Sequence, residues 1–233
     1  QAIVDFFNNS FTNVTVTYGD FSNYTANSAV IGAADVFVVG RSLNSTAYAN
    51  STNSASFNAL TIPVVSFTSY VVRPDSGRWG WHSGAVAAAG ASVSGSETTV
   101  TAAGATAFGT TAGTADWFTQ PSGSNFFGLG TGSVGDGDVL ATIAGSILAA
   151  HWSSGQLSGT GVAFGGERLL FNVPQNGTAT VMPTAEGQQA LINALVAYTP
   201  LTTTAIPEPS SCALFLGGAG FLFTVLRRRK RLA

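Results

Sequence analysis

The chain has 233 residues, of which 45% are hydrophobic and only 9% charged, with 28 glycines and a formal net charge of −2. Residues 1–205 carry four arginines (Arg41, Arg73, Arg78, Arg168), no lysine and ten carboxylates, a formal charge of −6. This balance excludes a nucleic-acid binder, because phosphate backbones are held by many Lys and Arg side chains. The single cysteine, Cys212, lies near the C-terminus, so the preceding chain has no disulfide, no thiol nucleophile and no cysteine metal site.

Some 200 residues before the terminal segment suffice for one domain with a sizeable core. The first residues, Gln1–Phe7, have neither the basic start nor the long apolar run of a secretory leader. If the chain is exported it needs one, and the expectation is then that the true N-terminus is missing. Ala2, Ile3, Phe6 and Phe7 share one helical face and predict the end of a helix. Val14–Tyr18 alternates with period two and predicts a strand. Asp35–Val39 and Pro63–Phe67 are continuous apolar runs, expected of strands buried on both faces of a parallel sheet. Ser54–Leu60 between them predicts a short helix. Six Asn-x-Ser/Thr triplets, at Asn8, Asn13, Asn23, Asn44, Asn50 and Asn176, are expected by chance in a chain this rich in Asn, Ser and Thr.

Residues 84–137 dissolve into Gly, Ala, Ser and Thr and read as irregular β structure and loops forming one rim. A structureless stretch of that length is unusual in a compact domain. Order returns at Val139–Ile143, Ile147–Trp152, Gly161–Phe164 and Arg168–Val173. The last two flank Gly165-Gly166-Glu167 and are expected to form a hairpin or closely paired strands. Thr184 is placed to cap a helix whose buried face is Ala190, Leu191, Ala194, Leu195 and Tyr198. The alternation of helices and buried strands predicts an α/β domain over residues 1–198, then a linker over 199–205.

The last 28 residues, 206–233, have their own logic. Ile206-Pro207-Glu208-Pro209 precedes the uncharged segment 212–226, and Arg227-Arg228-Arg229-Lys230-Arg231 follows it. Spanning the hydrocarbon core takes roughly 20 mostly apolar residues, and residues 206–226 just meet that. The basic cluster is expected to hold the C-terminus in the cytoplasm and place residues 1–205 outside. This tail resembles the PEP-CTERM sorting signal. The resemblance implies that exosortase recognises Pro207, Glu208 and Pro209. It also implies that the apolar helix is a transient inner-membrane anchor and that Arg227–Arg231 are a stop. The mature protein would then reside on the surface or in the extracellular polysaccharide of a Gram-negative bacterium.

The ordered pieces of residues 1–198 resemble the class I glutamine amidotransferase-like, flavodoxin-like superfamily and its ThuA-like branch. The carrying residues are Asp35–Val39 with Gly40-Arg41-Ser42, and Asn58-Ala59-Leu60 with Pro63–Phe67. Ser69–Arg73, Gly165-Gly166-Glu167-Arg168 and the closing helix Thr184–Tyr198 complete the set. The resemblance implies a flavodoxin-like parallel sheet whose first strand and turn are missing here, in keeping with the expected N-terminal truncation. Its enzymes use a Cys nucleophile at a tight turn, and this chain has Thr68-Ser69-Tyr70 there, so that chemistry does not carry over.

The most distinctive cluster is Arg73-Pro74-Asp75-Ser76-Gly77-Arg78-Trp79-Gly80-Trp81-His82. Arg73, Arg78, Trp79, Trp81 and His82 are the candidate ligand rim, since Trp faces stack on sugars and Arg forks bind anions; packing of the two Trp over the sheet edge is the competing reading. A serine hydrolase would draw on Ser42 or Ser69, His82 or His151, and Glu167 or Asp116. His82, His151, Asp136 and Asp138 lack recognisable metal-ligand spacing, and Asp136-Gly137-Asp138 reads as a polar turn before it reads as a Ca²⁺ loop. No catalytic residue, metal or cofactor is assigned. The expectation is a non-catalytic surface or matrix protein that binds carbohydrate, with a ThuA-like hydrolase or sugar-modifying enzyme as the alternative.

Overall fold

The computed structural model describes residues 2–75, 77–88, 98–118, 127–130, 132–176 and 179–203. Residues 1–202 form one compact unit. The transmembrane segment expected at 212–226 and the whole sorting tail therefore lie outside the described residues.

Strands β1 (Phe37–Val39), β2 (Val64–Ser66) and β9 (Arg168–Phe171) run parallel and adjacent. Beyond β9 the sheet turns antiparallel through β8 (Ser146–Trp152), β7 (Asp138–Ile143), β4 (Thr98–Val100) and β5 (Gly113–Ala115). β3 (Val86–Ala88) pairs with β6 (Phe127–Leu129), which joins β8. The domain is thus mixed α/β, as expected. Its parallel part is three strands wide, whereas a flavodoxin-like sheet is parallel throughout. The expected hairpin across Gly165-Gly166-Glu167 does not form. Ala163 makes only an isolated bridge to Leu157, and β9 takes β8 as its antiparallel partner.

The continuous apolar runs are explained by two cores, one on each face. On one side Val65 and Phe67, Leu169 and Phe171, and Leu140 and Leu148 meet α1 (Ala2–Ser10), α5 (Ala102–Phe108) and α6 (Ala185–Tyr198). On the other, Val64, Leu170 and Trp152 meet α2 (Tyr24–Gly32), α3 (Ser51–Asn58) and the Trp79–Trp81 segment after α4 (Ser69–Val72). Because successive side chains point to opposite faces, strands covered on both sides need apolar residues at every position.

Helix starts follow the sequence closely. Asn23, Asn50, Thr101 and Thr184 cap α2, α3, α5 and α6, each accepting from backbone N–H groups of the first turn. Asn44 similarly accepts from the Thr46 N–H. Three of the six Asn-x-Ser/Thr triplets thereby serve local backbone geometry. α5 was hidden in the Gly/Ala-rich stretch. Thr101 begins it, Gly109 in the left-handed region (φ 62°) ends it, and Phe108 anchors it. Val14–Tyr18 keeps its alternation, with Val14 and Val16 packed on the core, but has no ladder partner and is not a strand.

One side chain ties the two halves together. Arg168 opens β9 with no exposed surface, and its guanidinium donates to the carbonyls of Ile62, Glu167, Phe57, Asn58 and Leu60 at 2.7–3.2 Å. These include carbonyls at the end of α3, which have no partner within the helix. Gly165 and Gly166 lie so close to the same connection that an added Cβ would stand 2.2 Å from the Ala59 oxygen and 2.4 Å from that of Thr61. The glycine pair is needed for close approach.

Replacing Arg168 by Leu takes the donor from the Leu60 and Ile62 carbonyls, each loss costing about 1–3 kcal/mol, while the Phe57, Asn58 and Glu167 carbonyls keep backbone N–H partners. Urea denaturation should show a loss of about 3 kcal/mol or more, with Arg168→Lys intermediate because it keeps charge without the fork. The β7–β8 hairpin offers the opposite test. Its two-residue turn holds Ala144 at φ 47° and Gly145 at φ 76°, a left-handed geometry that disfavours Ala and favours Asn. Ala144→Asn should stabilise the domain by ~1 kcal/mol in the same assay.

Candidate functional site

The carboxyl ends of β1, β2 and β9 lie at one edge of the sheet, where ligands of open α/β sheets bind. The chain leaving them builds a cleft of about 260 Å³ lined by Arg41, Leu43, Asn44, Ser45, Thr68, Tyr70 and Gln175. Arg41, 4% exposed, donates from Nε to the Val173 carbonyl at 2.8 Å, and its guanidinium carbon lies 5.6 Å from the Tyr70 ring centroid. Burial pushes its pKa down from the usual arginine value; it remains a cation at neutral pH. Arg73 approaches the same ring at 5.4 Å, and Arg78 donates to Ser45 Oγ at 3.4 Å. Asp75 pairs with Arg73 at 2.8 Å and with Arg78 at 3.9 Å.

The sequence singled out Arg73, Arg78, Trp79, Trp81 and His82 together, and the structure divides them. Trp79 and Trp81 are 1% and 0% exposed. Trp79 stacks on Phe57 at 4.7 Å, and Trp81 packs edge-on against Trp152 and Phe164. The indole N–H of Trp81 donates to Asn58 Oδ1, while Asn58 Nδ2 donates to the Trp79 carbonyl. These rings form the interior on the α3 side, with their faces covered by protein. His82 is also buried, its Nδ1 accepting from the Gly84 N–H at 2.8 Å. Of the group, the two arginines lie beside the cleft, in contact with its lining residues Tyr70 and Ser45. Thr68, Tyr70 and Gln175 were absent from the expected rim; the signal that locates them is their position just past the buried runs that become β2 and β9.

A second arrangement gathers His151, Glu167 and Tyr198. His151 Nε2 lies 2.6 Å from Glu167 Oε2, and the Tyr198 ring stacks on the imidazole at 3.6 Å. Asp138 is the cross-strand partner of His151. Desolvation lowers the His151 pKa, against the raising effects of Glu167 and Asp138, and burial raises that of Tyr198. The nearby Ser154 hydroxyl donates to the Gly165 carbonyl, so it is not aimed at the imidazole as a nucleophile would be. Of the other hydroxyls weighed, Ser42 shares a hydrogen bond with Thr180, and the buried Ser69 N–H donates to Asn172 Oδ1. Asp116 gives its carbonyl to the Thr184 hydroxyl. Asp136 accepts from the Leu157 N–H and holds a loop. Among the described residues no three His, Cys, Asp or Glu side chains converge as a metal site would require. A shallow depression of about 390 Å³ between α2 and α3 is lined only by Ser, Thr, Asn and Ala, including the capping Asn23 and Asn50.

Comparison with known families places one segment. Residues 205–230 match the PEP-CTERM protein-sorting motif. The chain therefore carries a C-terminal signal of the kind processed by exosortase, which implies export and a membrane-anchored sorting step. No curated protein and no solved structure matches the chain, and nothing in these comparisons supports the amidotransferase-like or ThuA-like resemblance. Among the described residues no helix is long and apolar enough to cross a membrane.

The lowered His151 pKa fixes the sign of one pH effect. Between the folded value and the ordinary 6.5, the unfolded chain binds more protons than the native one, so stability rises with pH. The His151 contribution is complete above 6.5 and is lost as pH falls below it. Thermal denaturation from pH 7 to pH 5 should show a falling Tm, with a shallower fall in His151→Gln.

Proposed function

We propose that the chain is an exported protein delivered by exosortase to the cell surface or extracellular polysaccharide, and that its α/β domain acts there by binding carbohydrate and not by catalysis. The observation that carries the sorting half is the sorting-motif match at residues 205–230. Pro207-Glu208-Pro209, the uncharged run 212–226 and the basic cluster Arg227–Arg231 follow one another in the order such a signal needs. In this reading the apolar run holds the chain in the inner membrane with its C-terminus in the cytoplasm, until cleavage near the Pro-Glu-Pro frees the domain. The binding half draws on the cleft by Arg41, rich in hydroxyl and amide groups, and on Arg73 and Arg78 beside it.

The competing reading is a hydrolase or sugar-modifying enzyme, and the 2.6 Å His151–Glu167 pair is the observation that favours it. A histidine oriented by a carboxylate is the base of many hydrolases, but the neighbouring serine is committed to a backbone carbonyl. An enzyme working through this pair would lose turnover in His151→Gln and Glu167→Gln.

The sorting half is tested by the intact mass of the protein from the outer membrane and medium of its host. A species ending near Pro207–Ser210 is expected. Glu208→Ala should leave the full-length form in the inner membrane, and normal processing of that variant would overturn recognition through the Pro-Glu-Pro.

A further inference from the structure

Three of the four arginines in residues 1–205 converge on one cleft of a domain whose formal charge is −6. Arg41 lines it, Arg73 lies on the ring of the lining residue Tyr70, and Arg78 donates to the lining residue Ser45. Asp75 is the carboxylate that answers them, and it pairs with Arg73 and Arg78. Among the described residues no carboxylate lies within 4.0 Å of Arg41. Its guanidinium makes one hydrogen bond there, from Nε to Val173, and no described acceptor takes its terminal nitrogens.

The contrast with Arg168 gives this meaning. Arg168 is equally buried, but its terminal nitrogens are occupied by five carbonyls. A desolvated cation is costly unless paired and hydrogen-bonded. Arg168 meets that condition within the protein; Arg41, which lines the cleft, meets it only partly. Such a fork matches the two oxygens of a carboxylate. The remaining polar wall, Asn44, Ser45, Thr68, Tyr70 and Gln175, supplies donors and acceptors of the kind that hold sugar hydroxyls. The volume of about 260 Å³ is enough for one sugar residue.

We infer that the cleft at the carboxyl edge of β1, β2 and β9 binds an acidic sugar residue, a uronate, with Arg41 holding the carboxylate. This rests on the reading of the domain as carbohydrate-binding and narrows it to one charge class and one site. Arg73 and Arg78 add positive potential at the mouth, so binding should weaken as salt rises.

The test is isothermal titration of the full chain in detergent micelles with sodium D-glucuronate, D-glucose and sodium sulfate, with dextran co-sedimentation as a separate arm. Glucuronate should bind at least tenfold more tightly than glucose or sulfate. Arg41→Gln should weaken glucuronate binding at least tenfold. Because Arg41 also supports Val173, Arg73→Gln is the second variant: partly exposed, it should keep the native Tm and lose binding severalfold. Equal binding of glucose or sulfate, or undiminished glucuronate binding in both folded variants, overturns the inference. Dextran binding without glucuronate binding overturns it and leaves the wider carbohydrate reading standing. Loss of both overturns both, and glucuronate binding with no response to dextran supports the uronate site.

Discussion

The buried guanidinium of Arg168 is the constraint on which the mixed sheet depends. β9 is the strand where the sheet changes sense, parallel to β2 on one side and antiparallel to β8 on the other. Its first residue faces the end of α3 and the loop into β2, where several carbonyls turn inward without helical partners. A planar group with five N–H donors can serve several such acceptors from one position. Burial lowers its pKa to about 10, with Glu167 acting in the opposite direction, so it stays charged at neutral pH. The same loop is held from its other side by Asn58, whose amide bridges Trp79 and Trp81. The Trp segment is thus fixed to the helix end that Arg168 closes.

That connection also explains why the two Trp face inward. Their sequence setting, between arginines and glycines, is equally that of an exposed aromatic rim. What decides is the ring sequence Tyr48, Phe57, Trp79, Trp81, Trp152 and Phe164, each in contact with the next or its neighbour. Trp79 and Trp81 fill the volume between α3 and the sheet, and Arg73 and Arg78 before them touch the cleft residues Tyr70 and Ser45. The aromatic residues are the support for the two arginines beside the cleft.

Much of the fold was legible because its signals are local. The apolar runs at β1, β2, β7, β8 and β9 need no partner to be recognised, and a Thr before a periodic apolar stretch marks α6. Pairing was less legible. Gly161–Phe164 and Arg168–Val173 look like two arms of a hairpin, yet the glycines between them exist for close approach to residues 59–62, a reason that appears only in three dimensions. α5 was obscured because Ala and Gly residues carry little periodicity. The sorting tail stood out for the opposite reason, since all its parts are contiguous. The cleft draws residues from the ends of three strands spread over more than 100 positions of the chain, so no single window contains it.

The distribution of positive charge distinguishes architecture from function. With no lysine before Lys230, residues 1–205 have only arginines as fixed cations, and three of the four are buried. They are therefore not a solubilising surface. Arg168 and Arg41 are the informative pair, being alike in burial and in sitting at strand ends, one at the start of β9 and the other past the end of β1. The first is surrounded by backbone acceptors of the protein itself, and replacing it should be felt as lost stability. The second keeps one backbone acceptor and lines a polar cleft, which is where the proposed uronate would complete its coordination.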